Sequence, residues 1–107
     1  SPDLIPPYIF LLIVIALISL KGFNDRDWFD RYSFQINAIK NGQWYRMISS
    51  GFLHVGFWHL LVNGISYYFF APTVYRLLGS TSFFILFIAA LLAGNLFTLW
   101  VHKNEYY

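Results

Sequence analysis

Cysteine is absent from this chain of 107 residues, and charged side chains are scarce. The first absence excludes a disulfide framework and cysteine-ligated metal sites. Charged residues make up 11% of the sequence and hydrophobic residues 58%, whereas soluble domains carry roughly 25% charged residues. This composition excludes an ordinary soluble domain and indicates a protein embedded in a lipid bilayer. The net charge of +2 is too small to indicate a nucleic-acid partner.

The sequence also lacks a glycine-flanked serine of the kind that acts as a hydrolase nucleophile. Neither Gly-x-Ser-x-Gly nor Gly-x-Ser-Gly occurs in it. A serine hydrolase needs its serine within hydrogen-bond reach of a histidine that an acid orients. No such motif surrounds Ser49, Ser50, Ser66, Ser80 or Ser82. The sequence therefore does not identify a nucleophilic serine, or a histidine that would act as its base.

Three apolar segments approach the length of about 20 residues that a membrane-spanning helix needs. We predict an all-α, polytopic membrane protein with transmembrane helices at about 5–23, 51–71 and 80–101. Pro72 disfavours helical backbone at the residue before it, which favours an end or a kink of the second helix near residue 71. Gly79, followed by the hydroxyl of Ser80, predicts a tight antiparallel hairpin between the second and third helices.

The segment between the first two predicted helices, residues 24–50, is much richer in charged residues than the helices themselves. Residues 21–50 contain five of the seven basic residues and three aspartates. Apolar side chains at positions 28, 29, 32, 36 and 39 follow helical spacing. We interpret residues 24–50 as an amphipathic loop embedded in the bilayer interface. An ordinary solvated loop is the alternative.

His59 and Asn63 are the most informative polar residues of the chain. They lie in a stretch from Met47 to Tyr75 that contains no Asp, Glu, Lys or Arg. Polar groups are costly in a membrane-embedded segment and usually mark function there. The i, i+4 spacing places both side chains on one helix face. Two N–H donors that converge where water is scarce suit a developing negative charge, as in an oxyanion hole.

The three histidines also admit other interpretations. His54 precedes His59 by five residues, which on a continuous helix would turn it away from the face of Asn63. An i, i+5 histidine pair without cysteine or carboxylate is a poor zinc site, so we predict no metal and no other cofactor. A haem ligand on each helix, or hydrogen bonds between helices, are the remaining alternatives. His102 stands in a polar tail and is predicted to be solvated.

The run from Gly42 to His54, followed by Trp58 to Asn63, closely resembles the rhomboid intramembrane serine proteases. In that family a Trp-Arg loop motif leads into a second transmembrane helix that carries Phe-Leu-His and then His-x-x-x-Asn. The resemblance continues through residues 68–72, 76–79 and 94–95, and covers about residues 36–95. Counting basic residues would place the loop on the cytoplasmic side, whereas the family topology places it on the opposite side, which we adopt.

The resemblance implies a role for each matching residue. It implies that His59 and Asn63 form the oxyanion-stabilising pair of the active site. It implies structural roles at the mouth of that site for His54, Arg46 and Tyr45, the last standing where the family often has Trp.

The chain departs from the family pattern in two respects. Tyr75 stands where the family usually has Glu, so that contact is expected to be altered. The family's nucleophile lies in a Gly-x-Ser-Gly motif on the fourth helix, and its base is a histidine on the sixth. Both are absent from this chain. We interpret residues 1–107 as a partial rhomboid domain, the first three helices of a six-helix core.

The resemblance implies that the parent protein cleaves transmembrane segments of membrane proteins, and that this chain alone is inactive. The expected partners are transmembrane substrates, the lipid bilayer and the C-terminal helices of the same parent chain. We expect an integral protein of a plasma (inner) membrane. The alternatives are a rhomboid-like pseudoprotease that binds membrane proteins without cutting them, and a small haem or transport subunit.

Overall fold

Helices account for all the regular secondary structure in residues 5–105, the part of the chain that the computed structural model describes. Four short elements separate one long helix near the N-terminus from a much longer helical element near the C-terminus. The elements are α1 (Pro7–Asn24), α2 (Arg26–Tyr32), α3 (Ile36–Lys40), α4 (Arg46–Ser49), a 3-10 turn (Ser50–Phe52) and α5 (Phe57–Val101).

Helix α1 begins at a proline and ends beside an aspartate. Pro7 occupies the first turn, where its missing N–H would in any case have no helical partner. The backbone becomes extended at Asp25, and its side chain accepts a hydrogen bond of 3.0 Å from the backbone N–H of Trp28. Asp25 therefore closes α1 and caps α2. The buried face of α1 consists of Ile15, Ser19 and Gly22.

Helix α5 is broken at Gly79, which divides it into two arms. Gly79 has a φ of 80°, a left-handed conformation that glycine adopts without the steric cost of a Cβ. A straight helix of 45 residues would be about 68 Å long, yet the longest dimension of the structure is 49 Å. The chain therefore folds back at Gly79, and the ring of Tyr75 on the N-terminal arm (residues 57–78) contacts Phe83 on the C-terminal arm (residues 80–101).

The N-terminal arm does not end near residue 71, as Pro72 had led us to expect. It runs through Pro72 as continuous helix and ends only at Gly79. Pro72 removes one backbone donor, which membrane helices tolerate where neighbouring segments pack around the site. Ala71, the residue before it, is buried. The helix thus ends where the backbone takes a positive φ and not where a single hydrogen bond is lost.

The start of α5 also differs from the predicted start near residue 51. Residues 50–52 form a 3-10 turn, and Leu53 and Gly56 are extended. Leu53 is buried, and the backbone N–H of His54 bonds to the side chain of Ser19. Because the backbone is extended at Leu53 and Gly56, the first turn of α5 forms only after Gly56. The helical bond from Leu60 N–H to the carbonyl of Gly56 measures 3.0 Å.

The segment between α1 and α5 folds into a small core of its own. Ile36 and Ile39 are fully buried, and Met47 nearly so. The apolar positions between 28 and 39 follow helical spacing, but the backbone is extended at Ser33 and Gln35 and divides this stretch into the short helices α2 and α3. Phe29 and Trp28 of α2 lie against Gly22 of α1, whereas Ile36 and Ile39 of α3 are the fully buried residues of the segment.

Two elements within residues 5–105 are long and apolar enough to cross a membrane, α1 and α5. Few of their side chains are buried within the chain itself. Trp58 is 74% exposed and Leu77 78% exposed, and many other large apolar side chains of α5 are similarly uncovered. Exposed apolar surface on this scale marks contact with lipid or with other protein segments.

Candidate functional site

His54, His59 and Asn63 lie together at the start of α5. His54 precedes the helix, whereas His59 and Asn63 lie on its first two turns, one turn apart. The imidazole rings of His54 and His59 are 5.0 Å apart at their centroids and inclined by 73°, an edge contact. His54 was expected to point away from this pair. It contacts His59 because it belongs to the extended segment before the helix, where a helical angle does not apply.

Ser19 of α1 holds the backbone and the ring of His54. Its Oγ donates a hydrogen bond of 3.0 Å to the carbonyl oxygen of Phe52. It also accepts one of 3.0 Å from the backbone N–H of His54, and it lies 3.2 Å from Nδ1 of the same residue. Ser19 itself is fully buried. The position of the His54 ring is therefore set by α1 and not by α5.

The environment of His54 favours its neutral form. Burial lowers the pKa of His54 below its ordinary value, because desolvation penalises the charged imidazolium. The neighbouring His59 lowers the pKa further, since two positive rings in contact would repel.

His59 and Asn63 line two different cavities. Asn63 and His54 line a cavity of about 150 Å³ between α1 and α5, together with Gly51 and Tyr67. His59 lines a separate cavity of about 660 Å³. The polar and charged residues on the walls of that larger cavity are Arg26, Asp30, Ser33, Gln35, Ser50 and Asn95. Both side chains are exposed, and within this chain they do not converge on one enclosed space.

Arg46 is buried at the centre of the segment between α1 and α5. Its guanidinium donates bonds of 2.8 Å to the carbonyl oxygens of Asp30 and Ser33, and its Nε donates one of 2.8 Å to Gln43. Tyr45 stands beside it, with its hydroxyl 3.0 Å from the carbonyl oxygen of Arg31. These contacts join the ends of α2 to α4.

A metal site is not formed among residues 5–105, where no three His, Cys, Asp or Glu side chains cluster. His102, predicted to be solvated, is part-exposed and contacts Glu105 through Nδ1. It lies at the end of α5 and takes no part in the site.

The family model named Rhomboid domain matches residues 41–107, which include Arg46, His54, His59 and Asn63. The chain belongs to the rhomboid family. The resemblance of its motifs is thereby confirmed, and the long apolar helices are those of an integral membrane protein.

Individual rhomboid relatives match over different parts of the chain. The putative rhomboid protease YdcA of Bacillus subtilis is 32% identical over 107 residues, an alignment that covers 96% of this chain and 54% of that protein. The mitochondrial rhomboid protein 1 of Saccharomyces cerevisiae is 39% identical over 57 residues, 53% of this chain and 16% of the relative. The rhomboid protease GluP of Bacillus subtilis is 31% identical over 94 residues, 83% of this chain and 18% of the relative.

The chain spans about half the length of YdcA and less than a fifth of GluP and of the yeast protein. No solved structure shows significant similarity to it.

Two residues that support the site in this rhomboid chain were missed from the sequence. Ser19 is the only serine or threonine of α1, and a hydroxyl buried in an apolar helix needs a hydrogen-bond partner. That requirement was the available signal. Asn95 was recognised only as part of a motif. Its Nδ2 donates to the carbonyl of Met47 at 2.6 Å and to Ser50 Oγ at 3.1 Å, which ties the C-terminal arm to the loop.

Tyr75, which departs from the rhomboid pattern, is part of an aromatic cluster. Its ring lies 5.2 Å from that of Tyr8 and 5.8 Å from that of Phe83. The hydroxyl of Tyr67 donates a bond of 2.8 Å to the carbonyl oxygen of Tyr8. Aromatic packing thus joins α1 to both arms of α5 at a position where the family usually has a carboxylate.

Proposed function

We propose that this chain supplies the oxyanion-stabilising part of an intramembrane serine endopeptidase that cleaves transmembrane segments of membrane proteins. The observation that carries the proposal is the placement of His59 and Asn63. They stand one turn apart on an apolar helix long enough to cross a membrane, in a chain of the rhomboid family. Polar side chains at such a position are costly unless they have a function.

In this reaction a serine attacks the carbonyl carbon of the scissile peptide bond, and the carbonyl oxygen becomes an oxyanion. The ring N–H of His59 and the amide N–H of Asn63 would donate hydrogen bonds to that oxygen. Such donors act strongly where water is excluded and where they need no reorganisation. The nucleophilic serine and the base histidine belong, in this proposal, to a further part of the parent chain. No metal or organic cofactor is required.

The site would be completed by the rest of the parent. Within this chain His59 and Asn63 line separate cavities, and both are open. Packing of further helices against the exposed face of α5 would enclose them and exclude water. The 107-residue chain by itself is therefore expected to have no peptidase activity, because it has no activated nucleophile to form an acyl-enzyme.

We infer three transmembrane helices of a six-helix bundle from the same elements. Helix α1 and the two arms of α5 would each cross the bilayer, since an arm of 22 residues is about 33 Å long and the hydrocarbon core is about 30 Å thick. Residues 24–50 would lie in the interface. Trp44 and Tyr45, which are 61% and 46% exposed, suit that position. An inner (plasma) membrane is proposed because two relatives are from Bacillus subtilis.

The test uses the full-length protein and a transmembrane substrate. Asn63→Ala and His59→Ala should each lower kcat by roughly 10²–10³-fold and leave KM nearly unchanged, as for other oxyanion donors. Ser66→Ala is the control, since Ser66 is an exposed polar residue of the same helix outside the site. Thermal unfolding in detergent is measured beside turnover.

If Asn63→Ala lost stability but kept its full rate per folded molecule, a structural role would replace the oxyanion role. If the full-length protein neither cleaved substrates nor reacted with a fluorophosphonate probe for active serines, the pseudoprotease alternative would be correct.

A further inference from the structure

Ser19 is the point at which α1 contacts the candidate site. It is fully buried, and its partners, Phe52 and His54, lie more than 30 residues further along the chain. One hydroxyl thereby holds both the end of the 3-10 turn and the residue whose ring touches His59.

The hydrogen atoms around Ser19 can be assigned by counting donors and acceptors. A serine hydroxyl has one hydrogen to donate and two lone pairs to accept with. The carbonyl oxygen of Phe52 can only accept, so it takes the hydroxyl hydrogen. The backbone N–H of His54 uses one lone pair of Oγ. The second lone pair faces Nδ1 of His54 at 3.2 Å, and this contact is a hydrogen bond only if Nδ1 carries the hydrogen.

We propose that Ser19 is a positioning residue, which holds His54 as the Nδ1–H tautomer and so fixes the ring against which His59 packs. Nε2 of His54 is then an acceptor. The part-buried position of His54 favours the neutral ring that this arrangement requires. The consequence for the site rests on the proposed function: Ser19 would set the orientation of an oxyanion donor without contacting the substrate.

The arrangement resembles other cases in which a partner on one ring nitrogen determines the tautomer of a histidine. His54 cannot be placed by α5, because it lies in the extended segment before that helix. Its ring would rotate about its side-chain bonds if Ser19 were removed. The ring of His59, 5.0 Å away, would then lose its neighbour on that side.

The first test is spectroscopic and needs no substrate. The full-length protein is labelled with ¹⁵N-histidine, and the His54 signals are assigned by their loss in His54→Gln. At alkaline pH, the ring signals of His54 should show a protonated Nδ1 and an unprotonated Nε2. In Ser19→Ala the two tautomers should mix, and in Ser19→Thr, which keeps a hydroxyl, the original pattern should return. Ser66→Ala serves as the control.

A protonated Nε2 in the unmodified protein would overturn the proposal, and so would an unchanged pattern in folded Ser19→Ala. Neither result depends on catalysis, so both are distinct from failure of the proposed function.

The second test is kinetic. At metal sites, losing a partner that orients a histidine lowers metal affinity or activity by roughly 10–100-fold. For Ser19→Ala we expect a loss of kcat near the lower limit of that range, with KM unchanged. Ser19→Thr should restore kcat. A loss confined to thermal stability, with full kcat per folded molecule, would show that Ser19 only joins α1 to the loop.

Discussion

The segment between α1 and α5 differs from helix α5 in what its side chains contact. In residues 24–56 polar side chains bond to backbone carbonyls across the segment: the buried Arg46 donates to Asp30 and Ser33, and the part-buried Ser49 donates from Oγ to Tyr32 at 2.8 Å. In α5 most large apolar side chains are exposed, and two residues, Ala71 and Phe83, are buried. The short segment is held by hydrogen bonds of its own and by bonds from α1 and the C-terminal arm, whereas most apolar side chains of α5 have no cover within this chain.

The largest effect is expected from a substitution that removes the buried guanidinium of Arg46. Arg46→Ala should destabilise the protein by about 3 kcal/mol, because the carbonyl oxygens of Asp30 and Ser33 and the side chain of Gln43 lose a buried, charged donor. Arg46→Lys should recover only part of the loss, since an ammonium cannot reproduce the fork of the guanidinium. Thermal unfolding in detergent measures both.

The control for Arg46 is Arg26→Ala. Arg26 forms an exposed ion pair of 3.3 Å with Asp30, and such pairs contribute about 0–1 kcal/mol. If Arg46→Ala and Arg26→Ala lost equal amounts of stability, the buried hydrogen bonds of Arg46 would contribute no more than an exposed ion pair.

A second substitution tests the place where the two regions meet. A Cβ added at Gly51 would overlap the Cδ1 and Cγ atoms of Leu91 on the C-terminal arm. Gly51→Ala should therefore cost about 1–3 kcal/mol, because the side chain of Leu91 must leave its present position or the two segments must move apart. Gly94→Ala is the matched control, since a Cβ there meets nothing within 4 Å, and it should be neutral or slightly stabilising.

The double variant Gly51→Ala, Leu91→Ala makes this test sharper. Removing the overlapping side chain should relieve part of the cost of Gly51→Ala, and the relief appears as a coupling energy in a double-mutant cycle. Additive losses would mean that the loop and the C-terminal arm are not in contact at this position.

The smallest effect is expected at Asp25, which caps α2 at the start of the segment. The hydrogen bond from the Trp28 backbone N–H, assisted by nearby Lys21, holds the pKa of Asp25 below its ordinary value of 3.8. The charged cap therefore stabilises the protein above about pH 4, and this contribution is lost as the pH falls through the lowered pKa of the folded state.

Asp25→Asn should abolish that part of the pH dependence and keep a capping oxygen, whereas Asp25→Ala should also lose the cap. Unfolding followed between pH 3 and pH 6 distinguishes the variants. An unchanged pH profile in Asp25→Asn would show that this carboxylate contributes nothing to stability.

The helical membrane character and the family could be predicted from the sequence because they depend on local patterns. The apolar runs are properties of composition, and the spacing of His59 and Asn63 implies a shared face on any helix that includes both. The start of α5 could not be predicted this way. The extended segment before it contacts α1 through the bond between His54 and Ser19, two residues 35 positions apart, and no local pattern records that contact.

The position of the helix end was missed for a related reason. Pro72 is a strong local signal against helix, but a proline costs little where the surrounding segments compensate for its missing donor. Gly79 was recognised as a stop, and its positive φ is what ends the arm. The contact of Tyr75 with Tyr8 was also beyond local reasoning, since it joins residues 67 positions apart in the sequence.

The reversal at Gly79 has a consequence for the order in which the molecule assembles. It brings Tyr75 and Phe83 together across only eight positions of the chain, whereas the bond between Tyr67 and Tyr8 spans 59. The entropy lost on closing a loop increases with its length, and local contacts form fastest. The two arms of α5 should therefore pair early as a hairpin, with α1 docking on them afterwards. Because Ser19 is carried by α1, the ring of His54 would reach its final orientation only in that last step.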